Sequence, residues 1–155
     1  MFKFSILLTT FLNIILWPII HMSISWLITR LPLKHIPAHA NLFKPLPFET
    51  PTWYKKYLLI KKWKDCLPDA AAWFEHGFAK ATLKSSEEAY LKRFFIETTR
   101  GELAHWLTMA FTPLFYLWNP IWACIVMTSY ALVANVPCIL IQRYNRLRIK
   151  KILKI

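Results

Sequence analysis

The sequence predicts an all-α integral membrane protein, with about three transmembrane helices and an interfacial, amphipathic cytoplasmic segment between the first and second. Three observations predict it. The chain is 56% hydrophobic and only 18% charged, against about 45–50% and about 25% in a soluble domain. Its apolar residues are gathered into long runs. Its basic excess, 20 Lys and Arg against 8 Asp and Glu for a net charge of +12, falls between and after those runs. Beside such runs the charge reads as attraction to anionic phospholipid headgroups rather than to nucleic acid. With only two glycines there is no phosphate-cradling loop, no nucleotide fingerprint and no cofactor to expect. Cys66, Cys124 and Cys138 have neither zinc nor disulfide spacing and read as free thiols.

The whole chain, 1–155, reads as a single membrane domain. Phe4 to Ile28 carries no charged side chain and reaches ~37 Å as a helix, enough for a ~30 Å hydrocarbon core. Asn13, Pro18 and His21 interrupt it, and the proline predicts a kink. A signal peptide is the competing reading, but its apolar region is normally about 7–15 residues and more basic in front. Residues 4–28 are therefore taken as a first, retained span. Residues 29–102 form the cytoplasmic, interfacial segment, 103–118 a second span, 121–141 a third, and 142–155 a basic cytoplasmic tail.

Within 29–102, Pro32, Pro37, Pro45, Pro47 and Pro51 exclude a single helix and predict an extended strap. His35 and His39 have helical ligand spacing, but Pro37 between them favours two surface histidines over a metal site. Trp53 to Lys64 (WYKKYLLIKKWK) interleaves aromatic and lysine pairs. That composition suits an interfacial helix, and also base stacking on nucleic acid; the apolar neighbours favour lipid. Asp69 either caps the helix begun by Ala70 or belongs to an active site. Ser85 with Glu88 has capping-box spacing before an amphipathic helix whose apolar side is Leu91, Phe94, Phe95 and Thr98. Pro113 is a kink site in the second span, and Asn119-Pro120 is a tight turn before the third.

Orientation follows from the basic residues. Only Lys3 precedes the first span and none lies in the Asn119-Pro120 turn, whereas Arg30, Lys34, Arg93, Arg100, Arg143 and Arg146 flank the other span ends. The expected topology has the N-terminus outside and the central segment and C-terminus cytoplasmic.

Candidate chemistry gathers at Glu97 to Trp106 (ETTRGELAHW), where a polar helix runs into an apolar one. Thr98, Glu102 and His105 fall within about 80° of one another at ~100° per residue, with Glu97 to one side. A carboxylate beside an imidazole orients it and makes it a base for a hydroxyl proton. Equally, Glu102 and His105 at that spacing can simply satisfy each other. Asn135 inside the third span is expensive there and predicts a partner or cavity. In the following QRYNRLR, Arg143, Asn145 and Arg146 are either interfacial anchors or ligands of an anionic acyl donor.

ETTRGELAHW and ANVPCILIQRYNRLR, and more weakly KKWKDCLPD, resemble the glycosyl-4,4'-diaponeurosporenoate acyltransferases of bacterial carotenoid synthesis. The resemblance covers roughly the second two-thirds of the chain plus an N-terminal apolar helix. It implies a bacterial cell-membrane enzyme that esterifies the glucose 6-hydroxyl of a glycosylated carotenoid acid with a fatty acyl group, a late step toward a staphyloxanthin-type pigment. On that reading His105 is the general base and Glu102 orients it. Glu97 or Asp69 meets sugar hydroxyls, and Arg100, Arg143 and Arg146 hold the donor or the oxyanion. Competing classes are a non-catalytic membrane subunit of the pigment pathway and a different lipid-modifying transferase.

Overall fold

The computed structural model describes residues 4–38, 40–67 and 70–155, and among these every regular element is helical. Helix α1, Ile6–Arg30, starts where Ser5 Oγ accepts the Leu8 N–H at 3.3 Å, and it contains Pro18. It ends at Leu31, which is extended (ψ 130) because the following Pro32 disfavours helical backbone before it. Trp17, Ile20, Ile24 and Ile28 form its buried face. Its outer face, including Leu7, Phe11, Ile14 and Ile19, is equally apolar.

The proline-rich strap is extended as expected, with 3-10 turns at Leu33–His35 and Asn41–Phe43, and it buries Ile36, Phe43 and Glu49. His39 lies outside the described residues. Thr50 caps α2, Pro51–Lys56, by accepting the Trp53 N–H at 3.1 Å, with Pro51 at its start, where its missing N–H costs nothing.

The aromatic-lysine stretch is not one helix. Leu59 takes a left-handed conformation (φ 49) and separates α2 from α3, Ile60–Trp63. That costs a branched residue about 1–2 kcal/mol. The break turns Tyr54 and Ile60 into full burial against Tyr144, while Tyr57 and the lysines at 55, 56, 61 and 62 stay exposed. Tyr54 and Ile60 are thus spent on protein packing, while Tyr57 is not.

Helix α4, Glu88–Ala110, joins the polar and apolar stretches without a break. The capping box does not form: Ser85 Oγ accepts the Glu87 N–H at 3.1 Å, and Glu87 starts the helix without a side-chain cap. Leu91 and Phe94 bury against Ile149, and Phe78 meets Phe94 edge-on. At Pro113, which cannot donate to the preceding turn, the chain tightens into a 3-10 helix, Thr112–Leu117. After the Asn119-Pro120 turn, α5 runs from Ile121 to Leu153.

At ~1.5 Å per residue the 33 residues of α5 reach about 50 Å, well beyond a ~30 Å hydrocarbon core. The expected tail is therefore a continuation of α5, with Tyr144, Asn145, Arg146 and Ile149 buried. Helices α4 and α5 pack along each other, and α1 joins them at the apolar end through Trp17, Phe115, Trp118 and Ala131. There Asn13 and Asn119 exchange bonds of 2.8 Å, and the Trp118 indole donates to Asn13. Among the described residues two helices, α1 and α5, are long and apolar enough to cross a membrane. The run 103–118 is divided between the end of α4 and the 3-10 helix.

Candidate active site

Three helices each turn one face to a common cavity of about 480 Å³. From α4 come Glu97, Gly101, His105 and Thr108; from α5, Ala134, Cys138, Gln142 and Asn145; from α1, His21, Ser25, Ile28 and Thr29. These spacings of about four and seven are what one helical face requires. The central segment roofs the cavity with Lys64, Asp65, Leu67, Phe74, Phe78 and Lys80. Gly101 of α4 lies close against α5: an added Cβ there would lie 3.0 Å from Gln142 Cδ.

His105 faces Asn135, not Glu102. Its Nδ1 lies 2.9 Å from Asn135 Oδ1, while Asn135 Nδ2 donates to the Ala131 carbonyl at 2.9 Å. With its amide N–H committed, Asn135 offers its oxygen as an acceptor, so Nδ1 carries the proton. Nε2 of the neutral ring then holds the lone pair, as a base requires.

The expected Glu102–His105 pairing is a correction. Glu102, fully buried, accepts a short bond from Arg146 Nη2 and a 3.2 Å bond from the Trp106 indole, with Arg143 Nε at 3.7 Å. The physical reason is charge: a desolvated carboxylate gains far more from guanidinium groups than from a neutral imidazole.

Those two arginines, together with Arg100, pin the strap to the helices. Arg146 donates to Phe43 O (3.0 Å), Arg143 to Lys44 O (2.8 Å) and Arg100 to Leu31 O (2.6 Å). Glu49 completes this network: it accepts from Tyr54 Oη at 2.6 Å and lies 3.5 Å from Arg143 Nε. Burial, and then the Glu49 carboxylate, hold the Tyr54 phenol well above its usual pKa. Arg143 and Arg146 also line a second cavity of about 290 Å³, with Lys44, Lys150, Phe43 and Phe95.

The residues singled out in the sequence thus form two groups. His105 and Asn135 meet directly, and Glu97, Arg100 and Asn145 line the main cavity with His105. Glu97 accepts from Arg100 at 3.2 Å, and Asn145 reaches Lys80 O at 3.5 Å. Glu102, Arg143 and Arg146 form the second group. Asp69 lies outside the described residues. Sequence reasoning missed His21, Gln142, Glu49 and Tyr54. His21 did have a signal, as a polar residue interrupting an apolar run; Glu49, in a proline-rich strap, had none.

The model of the glycosyl-4,4'-diaponeurosporenoate acyltransferase family matches residues 39–155, the part of the chain that holds both groups. The chain belongs to this family. It is therefore an acyltransferase, with its expected membership shown. Relatives named glycosyl-4,4'-diaponeurosporenoate acyltransferase in Staphylococcus aureus strains USA300, NCTC 8325 and N315 are each 30% identical over 148 residues, which is 95% of this chain and 89% of theirs. No solved structure matches the chain significantly. The family match begins after α1, so His21 lies outside it.

Proposed function

We propose that this acyltransferase esterifies a sugar hydroxyl, the 6-position of a glucose carried on a carotenoid acid, with a fatty acyl group, at the cytoplasmic face of the bacterial cell membrane. The observation that carries the proposal is His105, oriented by Asn135 at the wall of the main cavity. The sugar O–H gives its proton to His105 Nε2 as its oxygen attacks the acyl carbonyl carbon. Collapse of the tetrahedral oxyanion expels the donor's leaving group, which takes the proton back from the imidazolium. The remaining product is the ester. Asn135 keeps the ring in the receptive tautomer without adding a buried charge.

Glu97, Arg100 and Asn145 bind the acceptor in this reading. Arg143 and Arg146, with Lys44 and Lys150, make the second cavity a seat for an anionic group of the donor. The protein crosses the membrane three times, through α1, through residues 103–118 and through α5, with its N-terminus outside. Apolar outer faces on α1 and on the first half of α5 support this, as does the cluster of arginines at their far ends. The exposed lysines of 55–62 rest on anionic headgroups.

The test is mass spectrometry of lipid extracts from cells making a glycosylated carotenoid acid, with and without the protein. A new species heavier by one fatty acyl group, absent with His105→Gln, is expected. An unchanged profile, with protein and precursor both present, defeats the assignment of this acceptor.

A further inference from the structure

We propose that the main cavity opens sideways to the bilayer through a slit between α1 and α5, and that the hydrocarbon chain of the lipid acceptor lies in that slit. The inference rests on the acyltransferase and membrane-spanning readings above and adds the route and the pose of the acceptor.

Size sets the problem. A cavity of about 480 Å³ takes one drug-sized molecule. It has room for a sugar and the reacting ester beside His105, but not for the long chain of a carotenoid acid as well. That chain has to leave the cavity. Every methylene left in water costs free energy, so it leaves towards lipid.

The helices show where. Both α1 and α5 pack on α4, which makes α4 the floor of the cavity and the other two its walls. The walls meet at the apolar end: the Trp17 ring lies 5.1 Å from Tyr130, and its indole donates to Met127 Sδ at 3.4 Å. Met127 and Ala131, the α5 members of the apolar cluster on α1, both lie at this end. The opposite end is roofed by the central segment. Between these two closures the cavity separates the helices. Ser25 of α1 and Ala134 and Cys138 of α5 stand on its opposite walls and are only half-buried.

The borders of the slit suit a hydrocarbon. One step further round each helix lie Met22 and Trp26 on α1 and Val133 on α5, all exposed. Neither helix carries a charge at this depth: α1 has none before Arg30 and α5 none before Arg143. The charged lining, Lys64, Asp65, Lys80, Glu97 and Arg100, is gathered at the roofed end. That polarity sets the sugar under the roof and the chain in the slit below it.

The experiment uses the full chain in phospholipid nanodiscs, with Cys66→Ser so that Cys138 reports on the cavity and Cys138→Ser as background. Its modification by N-dodecylmaleimide, which dissolves in the bilayer, is timed by mass spectrometry. A sulfonated maleimide, which stays in water, is run beside it. The dodecyl reagent is expected to react and the sulfonated one not. Glycosylated carotenoid acid in the disc should slow the reaction, and free glucose should not. Ser25→Trp and Ala134→Trp, which fill the slit from either wall, should slow it about tenfold and raise KM for the lipid acceptor by a similar factor. Ile14→Trp, on the outer face of α1, should change neither. Equal reaction with both reagents, no reaction with the dodecyl reagent, or wild-type labelling in both slit variants overturns the slit. His105-dependent transfer alongside any of these leaves the acyltransferase reading standing. Bilayer-side labelling that the glycosylated carotenoid acid slows, without any transfer, upholds the slit and removes the proposed reaction.

Discussion

His105 Nδ1 and Asn135 Oδ1, on neighbouring helices, are 2.9 Å apart. The Asn135 amide is in turn fixed by the Ala131 carbonyl one helical turn back. The imidazole is thereby held in one tautomer by a neutral group, where a carboxylate would bury a second charge. Replacing His105 by Gln removes the proposed base and should lower kcat by about 10²–10⁴. Asn135→Leu keeps the base but frees its tautomer, and a loss nearer tenfold in kcat with little change in acceptor KM is expected. Initial rates in nanodiscs, with protein yield as control, decide it. Equal activity of Asn135→Leu and wild type removes the orienting role.

Glu102 should matter for folding rather than turnover, and Arg146 for folding in addition to its proposed part in seating the donor. Both are buried, and their pair also anchors Phe43 O of the strap. Breaking a buried pair from one side leaves an uncompensated charge and costs about 3–5 kcal/mol. Arg146→Met is therefore expected to lower stability sharply and open the strap to proteolysis near Lys34 and Lys44. Glu102→Gln should do the same to a smaller degree. Denaturation in micelles and timed trypsin digestion read both effects. Normal stability with lost turnover would return Glu102 to the chemistry of His105, as their spacing alone suggests.

The contrast between those pairs shows what the sequence holds. Apolar runs, the turn at Asn119-Pro120 and the extended strap are local properties of composition and proline, and they were legible. So was the cost of Asn135 within an apolar run, which predicts a partner without naming it. Helical spacing placed Glu102 and His105 side by side, but it could not rank their competitors. Arg146 lies 44 residues away, and only the path of α5 brings it to Glu102. The same holds for Leu59, whose left-handed turn is imposed by the docking of Tyr54 and Ile60 on Tyr144. Tertiary packing overrode local periodicity in both places.

Tyr54 links the strap to α5 in a pH-dependent way. Its phenol donates to Glu49, and its pKa is raised by burial first and by that carboxylate second. A folded-state pKa above the unfolded value of about 10 favours folding fully below pH ~10 and loses that contribution as pH rises further. Stability measured from pH 8 to 11 should fall in the alkaline part for wild type. Tyr54→Phe should be less stable at pH 8, by about 1–2 kcal/mol for the orphaned Glu49 bond, and should lack that alkaline fall. A parallel pH profile in both proteins would show that Tyr54 is not the group responsible.

Topology can be read from one native thiol. Cys66 is exposed in the central segment, Cys124 is buried, and Cys138 lies partly covered within α5. If Arg30, Arg93, Arg100 and Arg143 mark the cytoplasmic ends of the spans, Cys66 faces the cytoplasm. A membrane-impermeant maleimide should then leave intact cells unlabelled and modify the protein once the membrane is opened. Cys66→Ser should abolish that labelling, which separates it from slow reaction at Cys138. Labelling of Cys66 in intact cells would reverse the orientation and carry the main cavity, with His105, to the outer face, where a cytoplasmic acyl donor could not reach it.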